Sequence, residues 1–240
     1  MAPTLTRPHL VWDWNCTLAD DVERHVEALN AALPPLGARR IDLATFRRLF
    51  SIPIPDFYAA VLGRPLTAQE WQQADTAFQS YLANCPPVRL LPGAADLLAR
   101  LIRAGCTHSV LSLSAHATLT RQITALEIAH LFIRTDGRTG APGGTKVQAL
   151  AVHVADLRPS IGNHRPVVII GDAADDAHAA TANGLPAVLY AGGLTGHDAL
   201  SRVGVPVADT LAQAAALALT RANAARPAAN AISGTTSAAA

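Results

Sequence analysis

At 240 residues the chain can bury one full-sized core plus a small accessory domain, and its half-hydrophobic composition excludes a disordered polymer. A formal charge of +1 leaves no global field for nucleic acid or an anionic membrane, so neither is expected as a partner. No apolar run reads as a signal peptide or approaches the roughly 20 residues of a membrane span. The three cysteines (Cys16, Cys85 and Cys106) lack metal-type pairing and read as reduced thiols, so a cytoplasmic protein is expected.

His9–Trp12 is a short apolar run ending in Asp13, a buried strand that delivers a carboxylate at its C-terminal end. Helices alone are expected from Asp20 to about Cys85. Val22, Val26, Leu29 and Leu33 recur at helical spacing until Pro34-Pro35 ends the run. Short helices are expected over 45–50 and 55–62. A longer one over 67–82 opens with Thr67 and Glu70 in a capping-box pattern.

Pro86-Pro87 marks a boundary, after which strands and helices alternate. A helix from Pro92-Gly93 precedes a strand at 109–112, a helix at 117–126, a strand at 131–133 and a helix at 146–154. Val167–Ile170 is the clearest buried strand. A helix at 177–183 capped by Gly184 and a strand at 187–190 follow it. The expected fold is therefore α/β, a Rossmann-like three-layer core with a parallel sheet, built from residues 1–19 and 88–221. Residues 20–87 form an inserted all-helical cap, and residues 222–240 are expected to be a disordered tail.

Open parallel sheets bind ligands at the carboxyl ends of their strands, and Asp13, Ser112 and Asp172 all fall at that edge. Lys146 opens a helix between the second and third of these. Two acids, a hydroxyl and an ammonium in one crevice suit a divalent metal together with a phosphate. Of the 19 lysines and arginines in the chain, Lys146 is the only lysine.

Asp13-Trp14-Asn15-Cys16-Thr17-Leu18 resembles the first motif of the haloacid dehalogenase superfamily, Asp-x-Asp-Gly-Thr-Leu/Val. Ser112 resembles its second motif, Lys146 its third, and Gly171-Asp172-Ala173-Ala174-Asp175-Asp176 its fourth. The match covers the chain apart from the tail, and the insertion sits where that family places a type 1 cap. The resemblance implies a phosphatase that attacks phosphorus with Asp13 and forms an aspartyl-phosphate. It further implies Mg²⁺ held by Asp13, the backbone carbonyl of Asn15 and Asp172, with Thr17 and Ser112 on the phosphoryl oxygens. Lys146 would neutralise charge, and Asp175 and Asp176 would hold metal-bound water or orient Lys146.

Two positions depart from the family. Asn15 stands where these phosphatases have their general acid/base, help that is typically worth about 10²–10⁴-fold. Asp20, Asp21 and His25 are nearby candidates to replace it. Cys16 stands in place of glycine, which usually marks torsions or approaches that a side chain disfavours. The cap contains no lysine, which excludes the Schiff-base chemistry of phosphonoacetaldehyde hydrolases, and the retained acids argue against metal-free dehalogenation.

In the cap, Arg47 and Arg48 followed by Phe50–Tyr58 resemble a segment of phosphoglycolate phosphatases, so these arginines are candidate substrate contacts. Trp71, Phe78 and Tyr81 read as cap core, and His116 as a helix start within reach of the crevice. The expected partner is a small phosphorylated metabolite such as phosphoglycolate or a sugar phosphate. The alternative is a degenerate member that binds a phosphorylated ligand, or transfers phosphate, without efficient hydrolysis.

Overall fold

A computed structural model describes residues 7–140 and 145–224. Strand β1 (His9–Trp12) is followed by helices α1 (Val22–Ala32), α2 (Leu43–Leu49), α3 (Ile54–Leu62) and α4 (Ala68–Ala83). Then come α5 (Ala94–Arg103), β2 (Thr107–Ala115), α6 (His116–Ala125), β3 (Arg134–Arg138), α7 (Lys146–Ile161) and β4 (Val167–Gly171). The chain continues through α8 (Ala174–Ala182), β5 (Ala187–Tyr190), α9 (His197–Ser201), β6 (Val207–Ala208) and α10 (Leu211–Ala224).

The six strands form one parallel sheet in the order β3-β2-β1-β4-β5-β6. Period-2 alternation divides its side chains between two layers. Leu10, Trp12, Val110, Val168, Ile170 and Val188 pack on one face with apolar residues of α5, α6 and α10. Val11, Leu111, Ile169 and Leu189 pack on the other with α7, α8 and Leu200 of α9. The expected Rossmann-like three-layer core is the observed one. Chain order reverses beside β1, so the carboxyl ends of β1 and β4 bound the crevice where such sheets bind ligands.

The four helices after β1 have their own apolar cluster, including Val26, Leu29, Leu33, Phe46, Phe57, Tyr58 and Ala74. Thr67 and Glu70 make the reciprocal capping box that opens α4. The two chain crossings to the sheet lie side by side: Leu91 N donates to Leu18 O at 2.9 Å and Asp20 N to Arg89 O at 2.8 Å.

Three expectations need correction. Residues 129–131 form a 3₁₀ turn and β3 starts only at Arg134. Leu131 and Phe132 pack against the core from that turn. The strand itself is polar because it lies at the sheet edge, where Arg134 and Asp136 find ionic partners. The helix at 177–183 begins earlier, at Ala174, and the one at 146–154 runs on to Ile161. Finally, α10 continues to Ala224 with Ala222 buried, so residues 222–224 are helix rather than tail. The rest of the expected tail lies outside the described residues. This helix buries alanines, Ala214, Ala215, Ala218 and Ala222, which give little hydrophobic contrast in an alanine-rich sequence.

Candidate active site

Four strand ends and one helix start converge on the crevice. Asp13 follows β1 and its backbone N–H bonds Ile170 O of β4 at 2.8 Å, which fixes the carboxylate beside Asp172. Lys146 is the first residue of α7, whose N-cap Thr145 accepts from Gln148 N. Its ammonium pairs with Asp13 Oδ1 and, at 2.5 Å, with Asp176 Oδ1. Asp176 Oδ2 accepts from Ala173 N at 3.1 Å, and Asp176, rather than Asp175, reaches the lysine. A Cβ on Gly171 would sit 2.1 Å from the Asp176 carboxyl, so only glycine lets that side chain fold beneath the strand end.

Asp172 Oδ1 accepts from Thr17 Oγ1 at 3.4 Å and Oδ2 from Leu194 N at 2.7 Å. The second bond requires Gly193, where a Cβ would fall 2.1 Å from Asp172 Oδ2. Sequence reasoning missed Gly193 and Leu194; the available signal was the Gly192-Gly193 pair just beyond a strand end.

The electrostatics of the crevice are unbalanced. Asp13, Asp172 and Asp176 are all buried, and Lys146 is the cation among them. Burial, with Asp176 adding to it and Lys146 opposing, pushes the Asp13 carboxyl up to about 6. Burial and the charges of Asp13 and Asp176 hold Asp172 well above the ordinary carboxylate range. Burial works to strip Lys146 of its proton, but Asp13 and Asp176 outweigh it and hold the ammonium protonated. Crowding three buried carboxyl groups around one ammonium resists their full ionisation, a cost that a hard divalent cation on Asp13 and Asp172 would relieve.

Asn15 is pinned at both ends. Its Nδ2 donates to Asp21 Oδ2 at 2.7 Å, while its Oδ1 accepts from Ser114 Oγ at 2.6 Å and Ser112 Oγ at 3.4 Å. Asp21 also accepts from Cys16 N at 2.7 Å, so the carboxylate proposed to replace the missing acid is already engaged by two donors. Asp20 is exposed. Ser114 was not foreseen because it lies beyond the expected end of the strand, and β2 in fact runs to Ala115. Cys16 has φ of 59°, the left-handed region that glycine adopts without steric cost. Burial, then Asp21 and Asp172, push its thiol well above the ordinary range.

Arg47 and Arg48 diverge. Arg47 donates through Nε to Gly193 O at 2.9 Å and through Nη2 to Gly192 O at 2.8 Å, bridging α2 to the loop after β5. Arg48 is exposed and meets Thr45 Oγ1 at 3.5 Å, away from the crevice. His116 opens α6 and accepts from Gly137 N at 3.2 Å, a helix-start position.

The chain that carries this crevice is similar to known proteins over most of its length. The family model of the haloacid dehalogenase-like hydrolases matches residues 10–190. The chain belongs to that family. Phosphoglycolate phosphatase of Synechococcus elongatus is 28% identical over 196 residues, 80% of this chain and 87% of that protein. A haloacid dehalogenase-like family hydrolase from Streptococcus pneumoniae superposes with a TM-score of 0.71 at 20% identity, covering 88% of this chain and 98% of that one. Protein tyrosine kinase A of Mycobacterium tuberculosis superposes with a TM-score of 0.72 at 26% identity, over 88% and 98%. The chain is thus an enzyme, a phosphatase of the haloacid dehalogenase type. Phosphatases of this family generally use a divalent metal and act on small phosphorylated substrates.

Proposed function

We propose that the enzyme hydrolyses a small phosphate monoester, of the phosphoglycolate or sugar-phosphate kind, with Mg²⁺ and through a phosphoryl group carried on Asp13. The observation that carries this reading is the pair of buried acids, Asp13 and Asp172, set side by side at the strand ends with Lys146 as the cation beside Asp13. Asp13, Asp172 and the backbone carbonyl of Asn15 would hold the ion. When bound, Mg²⁺ neutralises phosphate charge so that an anionic nucleophile can approach.

The chain's own groups supply the rest. Asp13 attacks phosphorus, the ester P–O bond breaks, and the alcohol leaves with a proton taken from solvent, because the Asn15 amide cannot give one. Water then attacks the same phosphorus, phosphate departs and Asp13 is regenerated. Thr17 and Ser112 donate to the phosphoryl oxygens, and Lys146, oriented by Asp176, neutralises charge on Asp13 and the transferring group. Residues 20–87 act as the cap, with Arg47 as the contact that closes it on the loop after β5. Asp13 is only 8% exposed, so substrate entry requires that cap to swing on the paired crossings near residues 18–20 and 89–91. The free cysteines support a reducing, cytoplasmic setting.

A second reading, phosphoryl transfer to an acceptor other than water, is favoured by one observation. The side chain at position 15 is an amide locked between Asp21 and Ser114, so nothing there activates the hydrolytic water. The 26% likeness to a protein named as a tyrosine kinase supports it. A panel of small phosphate esters, assayed with Mg²⁺ for free phosphate and, with added alcohols, for new esters, separates the two. Metal-dependent phosphate release lost in Asp13→Asn supports hydrolysis. New ester without free phosphate supports transfer, and silence in both assays with every ester contradicts both.

A further inference from the structure

The loop after β1 has a second face. Asp13 and Asp172 lie on the sheet side, while the Cys16 side chain packs in the apolar cluster of the helical insertion with Val26 and Leu29. There Cys16 Sγ, the Asp21 carboxylate and His25 Nδ1 all lie within 4.8 Å of one another. Sγ is 3.7 Å from Nδ1, and Nδ1 is 3.8 Å from Asp21 Oδ2. Around a tetrahedral zinc, with bonds of about 2.3 Å to sulfur and about 2.0–2.2 Å to nitrogen and oxygen, neighbouring ligand atoms stand roughly 3.3–3.6 Å apart. Two of the three separations are thus within about 0.5 Å of coordination geometry, and the third, Sγ to the Asp21 carboxylate, closes the triangle within 4.8 Å.

The donor types decide which metal fits. A sulfur and an imidazole beside one carboxylate oxygen match zinc and its thiophilic relatives and suit neither Mg²⁺ nor Ca²⁺, which take oxygen ligands. Two ligands are already placed by backbone geometry. Asp21 and His25 are one turn apart at the start of α1, and Cys16 is fixed by the bond from its N–H to Asp21 Oδ1 at 2.7 Å. The carboxylate oxygens keep lone pairs beyond those engaged by Asn15 and Cys16. His25 is 15% exposed at its side chain, so the cluster has one edge towards solvent.

We propose that Cys16, Asp21 and His25 bind zinc or a similar thiophilic dication, as a second metal site distinct from the acidic crevice. Bonds form from the metal to Sγ, Nδ1 and a carboxylate oxygen, and the thiol proton goes to solvent. The 2.8 Å contact of His25 Nδ1 with Asp21 O is given up, with the ring proton carried on the other nitrogen. The bound ion ties the first turn of α1 to the loop after β1, across the hinge of the helical insertion. Zinc binding there slows any turnover that needs the insertion to move. The site itself does not depend on what the enzyme hydrolyses.

Cobalt(II) is the probe, titrated into the full-length protein in excess Mg²⁺ so that the oxygen-lined crevice is occupied. The expected result is one equivalent with near-ultraviolet sulfur-to-cobalt charge transfer and tetrahedral visible bands, both displaced by Zn²⁺. The bands are lost in Cys16→Gly, a change suited to the positive φ of that position, and weakened in His25→Gln. They are unaffected in Cys85→Ser, which removes a half-exposed thiol. Circular dichroism establishes that each variant is folded. No charge-transfer band in the wild type, or a band that survives Cys16→Gly, would overturn the proposal.

Discussion

Two buried polar clusters grow from the same three elements of this enzyme, and we propose only one of them as the reaction centre. At the carboxyl edge, β1, β2 and α7 contribute Asp13, Ser112 and Lys146. Deeper in the sheet the same elements contribute His9, Ser109 and His153, joined by Asp136 of β3. Ser109 Oγ lies 2.7 Å from His153 Nε2, whose Nδ1 lies 2.6 Å from Asp136 Oδ2. His9 meets Ser109 Oγ and Thr107 Oγ1, each at 2.8 Å. By atom order this is a serine–histidine–aspartate relay of the kind used in acyl transfer. Yet Ser109 is 0% exposed, no substrate atom reaches it, and each of these side chains already has a partner. The edge cluster differs in crowding three buried acids around a single ammonium. Unmet electrostatic demand at a strand end, more than a familiar sequence of contacts, distinguishes a site from an anchor.

That contrast breaks first at the nucleophile. Asp13→Asn should lower Mg²⁺-dependent phosphate release on the order of 10⁴–10⁶-fold, read by steady-state turnover, with no loss of folded structure. Lys146→Met comes next, because it leaves buried carboxylates without their cation. Denaturant unfolding without metal should show a loss of about 3–5 kcal/mol, partly restored by Mg²⁺. An unchanged midpoint would mean that the carboxylates are not charged as described.

Asn15→Asp sharpens the comparison from the other side. It sets a second carboxyl against Asp21 Oδ2, where the amide nitrogen now lies at 2.7 Å, so the two acids must share a proton. Turnover should rise about 10²-fold, and a fall would show that the missing acid is not the bottleneck. The satisfied relay responds more weakly and in stability alone. Ser109→Ala should cost about 1–3 kcal/mol in unfolding free energy while kcat changes little.

Acid acts on the relay and on His108 beside it, which accepts from Trp12 Nε1 at 3.1 Å. Burial, with His153 and His108 adding to it, lowers His9 to about 3, and burial lowers His108 to about 4. Below the ordinary histidine value of about 6.5 the unfolded chain takes up protons that these rings refuse. Stability should therefore fall as pH drops from about 6.5 towards 4, by up to about 1.4 kcal/mol per pH unit for each ring. His9→Gln should make that decline shallower in pH-dependent thermal melts.

The parts of this molecule legible in its sequence are those where one residue type has one job. Apolar runs ending in Asp13 and Asp172 gave away β1 and β4, the lone lysine pointed to the start of α7, and Thr67 with Glu70 announced α4. Elements held by context were not legible. An edge strand such as β3 can be polar because its neighbours, His153 and Asp156 of α7, pair its charges. Helix α10 packs through alanines, whose small side chains carry no periodic contrast. Arg47 read as a candidate substrate contact, and only the folded chain shows its guanidinium bound to the carbonyls of Gly192 and Gly193. The pinning of Asn15 by Ser114 and Asp21 likewise depends on how far β2 extends and how α1 begins.

The most direct test of the central claim is to quench the enzyme in acid during turnover of a phosphate ester and map the phosphoryl group by mass spectrometry. The account predicts an acid-stable, hydroxylamine-labile adduct on the peptide containing Asp13, formed only with Mg²⁺ and accumulating because Asn15 does not activate water. Steady turnover with no covalent adduct, or a phosphoryl group on any residue other than Asp13, would contradict it.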